Sequence, residues 1–374
     1  MKIIHTADVH LDSKLSSHLD SDRAKERRNE LIMTFQKMVK YGAEAGAEAI
    51  IIAGDLFDVM RISATARNAV LSVVSDNREM TFYYLTGNHD ENSLEQAVTQ
   101  KGEALPENMK LFGSDWVTYE QVGKDGTVVT ITGAELTADN SNTLPASLVL
   151  DQDKINIVTL HGMESELTRE KGAEIIPLRE FRNKGIDYMA LGHIHAPKIE
   201  KLDARGVYAY SGCLEGRGFD EAGKKGFYML DITADGVTPE FVSVAERQVY
   251  VLDVDVSKCM TSDDVIKEMR SAAVEAGVTS RDMYQAILVG EVDVELTVDE
   301  TYIIKMLEDE YYVIDIKDKT KPFIDYDSFA NDISLRGEFV RLIKAKQQAG
   351  ELTETMAAQI ISTGIGALAG EGVE

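Results

Sequence analysis

Five short motifs gather side chains that bind metal ions: ADVH with Asp8 and His10, GDLFD with Asp55, GNHD with Asn88, a single His161-Gly162 step, and GHIH with His193 and His195. Oxygens of Asp and Asn mixed with imidazole nitrogens, and no thiolate, suit a transition-metal ion. Mn²⁺ is the first choice, with Fe²⁺, Zn²⁺ and Mg²⁺ as alternatives. Seven donors exceed what one ion with an open position uses, so two ions are expected, with Asp55 as the natural bridge. Ions about 3.5–4 Å apart polarise a phosphoryl oxygen and bring water towards hydroxide near neutral pH, which is in-line phosphoester hydrolysis. His89, next to Asn88, stays free to contact the phosphate and protonate the leaving oxygen, with Asp90 as the partner that holds its tautomer.

These residues need elements that bring them together. Apolar runs predict strands over 2–7, 49–53, 81–85, 155–160 and 186–191, and every motif follows one of them, so the donors sit at strand carboxyl ends on one sheet edge. In an extended segment side chains alternate, so Asp8 and His10 face one way, as do His193 and His195. Taken singly, a histidine after a strand is ordinary and GNHD is an ordinary turn; coincidence at five strand ends selects the metal site. His5 and His18 are taken as structural, and Asp12 and Asp58 as either partners of the ligands or simple loop residues. Helices are expected over 30–45 and 63–75, the second capped by Ser63, giving an α/β layered domain. Hairpins are expected within 111–134 and between 207–210 and 226–230. The character changes near 246, so three regions are expected: a catalytic domain over 1–245, a smaller α+β domain over 246–333, and helices over 334–374.

Composition is that of an ordinary globular protein, with 44% hydrophobic and 28% charged residues. No apolar run approaches the ~18 residues of a membrane span, and the N-terminus lacks a secretory core, so a cytoplasmic protein with no membrane partner is expected. Two distant cysteines, Cys213 and Cys259, fit a reducing compartment. The net charge of -25 opposes non-specific nucleic-acid binding. A local field from bound ions and nearby cations can reverse that at the site, and Arg61, Arg217, Lys224 and Lys225 are weak substrate-contact candidates, with Arg23, Lys25, Arg27 and Arg28 in an expected loop.

In order, D-x-H, GDLFD, GNHD, His-Gly and GHIH resemble the signature of the calcineurin-like metallophosphoesterases. IIHTADVHLDS and YSGCLEGRGFDEAGKKGF narrow the likeness to bacterial DNA repair exonucleases of the SbcD type. The resemblance implies a four-layered αββα sandwich with a dinuclear centre. Asp8, His10, Asp55 and His195 would hold one ion, and Asp55, Asn88, His161 and His193 the other, with His89 catalytic. It further implies a capping domain, tail helices that dock an SMC-like coiled-coil ATPase, and DNA as substrate; a homodimer is also admitted. Some relatives carry His where this chain has Asp58, and many have Gly where it has Asp12. The expected function is an Mn²⁺-dependent DNA exonuclease and endonuclease in end repair, the alternative a nucleotide or phosphoprotein phosphodiesterase or phosphatase.

Overall fold

Alternation along the first strand sets the layering. In the computed structural model, which describes residues 1–374 except 16–18, 59–61, 91–92, 167–173, 294–295, 297, 324–328, 330 and 370–374, Ile4 packs towards Leu31, Phe35 and Val70 of the helices, while its neighbour Ile3 packs towards Ile131, Ile157 and Tyr188 of a second sheet. The same switch recurs at Ile50, Ile51 and Ile52 and at Ile157 and Val158, because successive strand side chains point to opposite faces. Strands apolar on both faces must be covered on both faces. The result is two stacked six-stranded sheets with helices outside each, the αββα arrangement.

The first sheet carries Lys2–Thr6, Ala47–Ala53 and Thr81–Leu85 in parallel register, and the second carries Ile155–His161 and Tyr188–Gly192, also parallel. The five motif-bearing strand ends thus come from two facing sheets, where one sheet edge was expected. Val117–Val122 and Val128–Gly133 form the first expected hairpin. The second does not form: Val207–Tyr210 joins Tyr188–Gly192 and Lys198–Lys201, while Gly226–Thr233 crosses to the first sheet beside Lys2–Thr6. Both segments alternate properly for strands, but alternation carries no information about which sheet accepts them.

The first helix runs Ser21–Ala45, nine residues earlier than its apolar spacing suggested. Asp20 caps it by accepting from the Asp22 and Arg23 amides, worth about 1 kcal/mol, and Gly46 closes it in the left-handed conformation. Arg23, Lys25, Arg27 and Arg28 therefore lie on a helix rather than in a loop. Arg27 takes an inward position, fully buried against Glu30, Glu215 and the Gly216 carbonyl, which removes it as a substrate contact. Ser63 caps the helix Ala64–Asp76 through the Ala66 amide.

The described chain divides into two compact units, Met1–Gln248 and Val249–Glu374. Within the second, parallel strands Val249–Asp255, Met283–Val289 and Val313–Asp318 share a core with Val265, Ile266 and Met269 of the helix Ser262–Ala276 and Ile303 and Leu307 of Glu300–Leu307. The tail helices Leu335–Gln348 and Glu354–Ala369 pack on each other through Val340, Ile343, Ala357, Ile361 and Ile365. No helix among the described residues is long and apolar enough to cross a membrane.

His5 is a core residue, as its structural reading required. It lies between the sheets with no exposure, Nδ1 2.8 Å from the Tyr188 hydroxyl and Nε2 3.2 Å from the Leu191 carbonyl. Burial pushes its pKa down to about 3, against the opposing pull of the Leu191 carbonyl. A depressed histidine contributes its full stability above pH 6.5 and loses it as pH falls from there towards 3. In urea unfolding, moving from pH 7.5 to 5.0 is expected to cost the wild-type chain about 2 kcal/mol more than the His5→Gln variant. Equal losses would show that His5 takes up its proton inside the fold.

Candidate metal centre

Two loops leave the first sheet side by side. The Asp8 amide donates to the Gly54 carbonyl at 3.1 Å, His10 to Asp55 at 3.0 Å, and Asp58 back to Leu11 at 2.9 Å. Asp8, His10 and Asp55 carry φ values of 50°, 51° and 52°, and His193 one of 105°. Left-handed backbone costs a non-glycine residue roughly 1–2 kcal/mol. Asp8 and His10 therefore meet through a turned chain, correcting the expectation of an extended segment with alternating side chains. Sustained strain at four ligand candidates is the pattern of a site held by its surroundings.

Asp90 supplies much of that hold. Its carboxylate accepts from the amides of Leu56, Phe57 and Gly87 and from the Tyr84 hydroxyl, pinning the Asp55 loop to the Asn88 loop. It is fully buried, and burial raises its pKa to about 6 despite those donors. It does not touch His89 in these contacts, so its expected role as that histidine's partner is corrected to a structural one. Asp58 approaches that histidine instead: its Oδ1 lies 2.8 Å from His89 Nδ1. Gly87 and Gly54 are dictated by crowding, since a Cβ on the first would fall on the Asp55 carboxylate and on the second into the His161 ring.

The seven expected ligands converge. His161 Nε2 lies 2.9 Å from Asn88 Oδ1 and 3.3 Å from Asp55 Oδ2, and His193 Nδ1 lies 3.4 Å from the same Asn88 oxygen. On the other side His10 Nε2 and His195 Nε2 are 3.1 Å apart, and His10 Nε2 is 3.8 Å from Asp55 Oδ2. Asp8 closes the gap, accepting the His193 amide at 2.9 and 3.1 Å while grouping with His10 and His195 and with Asp55 and His161.

The donor chemistry fits cations. His161 Nδ1 donates to the Ala53 carbonyl at 2.9 Å and His195 Nδ1 to Glu221 at 2.7 Å, which turns both Nε2 atoms inward. Carboxylate and amide oxygens crowd around those nitrogens, an arrangement that calls for positive charge among them. Titration shifts follow the same imbalance. Burial lowers the pKa of His161, but the Asp55 and Asp8 carboxylates overcome it and hold it at about 9; burial likewise raises Asp55, yet His161, His10 and the His89 amide keep it well below the usual carboxylate range. Both shifts are those of a cluster that gains by holding positive charge.

The remaining candidates separate. Arg217 is at the site but tied to Glu221 and Asp58. Lys225 is buried, with Nζ donating to the His195 carbonyl at 2.8 Å, so it braces the GHIH loop and is corrected as a substrate contact. Lys224 is exposed, and Arg61 lies outside the described residues. Asp58, left undecided, and Glu221, passed over, are the residues that sequence reasoning missed. For Asp58 the spacing within GDLFD was a signal; Glu221, in a short 3₁₀ turn, offered none.

Comparison with known proteins agrees with this geometry. Residues 1–197 match the family model for calcineurin-like phosphoesterases. The chain is 26% identical over 269 residues to the DNA double-strand break repair protein Mre11 of Aeropyrum pernix, covering 68% of this chain and 64% of that one. It is 27% identical over 276 residues to the uncharacterised metallophosphoesterase YhaO of Bacillus subtilis, covering 70% and 65%. Against the SbcD component of the nuclease SbcCD of Bacillus subtilis it is 24% identical over 257 residues, covering 60% and 64%. The chain thus spans slightly under two thirds of each of these relatives. Among solved structures it is similar to TT1561 of Thermus thermophilus, at 14% identity and a TM-score of 0.42, covering 64% of this chain and 98% of that one. With the matching model spanning more than half its length and the ligand set assembled on one rim, the chain belongs to the calcineurin-like phosphoesterases.

Proposed function

We propose that the chain is a dinuclear-metal phosphodiesterase that acts on DNA ends as an exonuclease and endonuclease. The carrying observation is Asp55 Oδ2 between His161 Nε2 and His10 Nε2, with His89 beside His10 and Asp58, where these three side chains form a further metal-capable group. Asp8, His10, Asp55 and His195 would hold one ion, and Asp55, Asn88, His161 and His193 the other, Mn²⁺ being the best match to mixed oxygen and nitrogen donors. Bound there, the pair supplies Lewis-acid charge to a phosphoryl group and a source of hydroxide near neutral pH.

The protein's own groups do the rest. Asp58 accepts from His89 Nδ1 and so turns Nε2 towards solvent, where it can donate a proton to the leaving oxygen. Asp55 orients the same residue through its backbone, accepting the His89 amide at 2.9 Å. Asp8 holds the His193 amide and Glu221 holds His195, so both ligand histidines keep their orientation as the phosphate enters.

Assignment to DNA is supported by the names of the Mre11 and SbcD relatives. The net charge of -25 argues that the chain alone binds DNA weakly, with affinity supplied by an SMC-like ATPase in the cytoplasm. The tail helices suit that docking, since Leu335, Leu342, Met356 and Leu368 are exposed beyond the pair's own core. The same acidic balance favours a second reading, hydrolysis of a nucleotide or phosphoprotein, for which no polyanion need be held.

The His89→Ala variant is expected to bind two Mn²⁺ per chain in equilibrium dialysis while cleavage of an end-labelled single-stranded oligonucleotide falls by about 10²-fold or more. Undiminished cleavage would remove His89 from the chemistry. On duplex ends the isolated chain should bind weakly and lose affinity steeply between about 50 and 200 mM salt. Tight binding at physiological salt would contradict the need for a partner, and rapid turnover of a cyclic nucleotide with intact DNA would favour the second reading.

A further inference from the structure

Among the described candidates for substrate contact, Arg217 is the one whose side chain meets side chains of the centre, and its geometry is wrong for gripping substrate. Its backbone amide donates to Glu221 Oε2 at 2.7 Å, its Nε to Glu221 Oε1 at 3.1 Å and its Nη2 to Oε1 at 2.8 Å, while Nη1 lies 3.4 Å from Asp58 Oδ2. Two carboxylates therefore neutralise one guanidinium, and only 17% of the side chain is exposed, on the wall of a cavity of about 340 Å³ that Lys14, Asp58 and Glu221 also line. A phosphate arriving there would meet the carboxylates as well as the cation.

What the arginine does join is two functional groups. Glu221 holds His195 Nδ1 at 2.7 Å, and Asp58 holds His89 Nδ1 at 2.8 Å. Asp58 Oδ1 also lies 3.5 Å from Nδ1 of His10, a nitrogen that is buried with no hydrogen bond of its own. A continuous chain thus runs His89, Asp58, Arg217, Glu221, His195, with Arg217 Nη2 also 3.2 Å from His195 Nδ1, and its two end rings both pack against His10. The planar fork of arginine can face two carboxylates at once, which the single ammonium of lysine cannot do with fixed geometry.

We propose that Arg217 and Glu221 are a positioning couple: Glu221 fixes the ring of His195 for its metal ion, and Arg217 braces Glu221 against Asp58 so that His89 points at the leaving group. This rests on the hydrolase reading for the His89 end only; the His195 end is a statement about metal binding. Without Arg217, Asp58 is free to swing and His89 loses its aim, while the cation cluster persists. Without the Glu221 charge, His195 is a weaker and less oriented ligand.

The test uses the full chain with Mn²⁺ and the variants Arg217→Ala, Arg217→Gln, Glu221→Gln, His89→Ala and the Arg217→Ala/His89→Ala double. Arg217→Ala is expected to lower kcat on an oligonucleotide by about tenfold or more, with KM unchanged and little loss on bis(p-nitrophenyl) phosphate, whose leaving group needs no proton. It should add nothing to His89→Ala, since both remove the same step. Arg217→Gln should reproduce the pattern if the alanine variant folds poorly. Glu221→Gln should weaken one of the two Mn²⁺ sites by about 10–100-fold in equilibrium dialysis and leave the other. A raised KM at constant kcat would make Arg217 a substrate contact, and losses that multiply in the double variant would give it a role independent of His89; either overturns the proposal. If the wild-type chain turns over neither substrate, the hydrolase reading falls, and the dialysis result alone decides: two sites unaltered by Glu221→Gln would overturn the couple as well.

Discussion

Asp55 Oδ2 stands 3.3 Å from one imidazole nitrogen and 3.8 Å from another, in a pocket where Asn88 and Asp8 add further oxygens. With His161 directed outward to Ala53 and the neighbouring His195 to Glu221, this crowd of electron-rich atoms calls for positive charge among them. Much of the first unit can be understood as holding that crowd in place. Left-handed backbone at Asp8, His10, Asp55 and His193 turns the side chains inward, and the surrounding hydrogen bonds keep the strained loops from relaxing. Asp90, buried beneath, ties the Asp55 loop to the Asn88 loop and to the strand before it with four accepted bonds.

The sheets explain why five distant motifs can meet. Strands with apolar residues on both faces bury one face under helices and the other against the opposite sheet. Parallel strands deliver their carboxyl ends to the same side, and two stacked sheets deliver them to one rim. The ligand loops therefore start from buried strand ends, which set where each of them leaves the sheets.

The ligand set and the strands beneath it were legible because both have local signatures: apolar runs ending in Gly, Asp, Asn and His at short, fixed spacing. What escaped was carried by long-range contacts. Arg27 looked like a loop cation near the site, but helix phase turns it inward onto Glu215, nearly two hundred residues away. Asp90 looked like the neighbour of His89 because it is adjacent in sequence, whereas the side chain turns down towards Tyr84 and Asp58 approaches instead. The strand Gly226–Thr233 alternates as a hairpin partner would, but pairs with Lys2–Thr6 in the other sheet. Glu221 acquires its importance only from contact with His195.

Whether a cation pair resolves the crowding at Asp55 can be seen directly. Crystals soaked in Mn²⁺ and measured for anomalous scattering should show two peaks about 3.5–4 Å apart with Asp55 between them. One would be bounded by His10 and His195, the other by His161, His193 and Asn88. A single peak, or none, with the ligand side chains unmoved, would contradict the account.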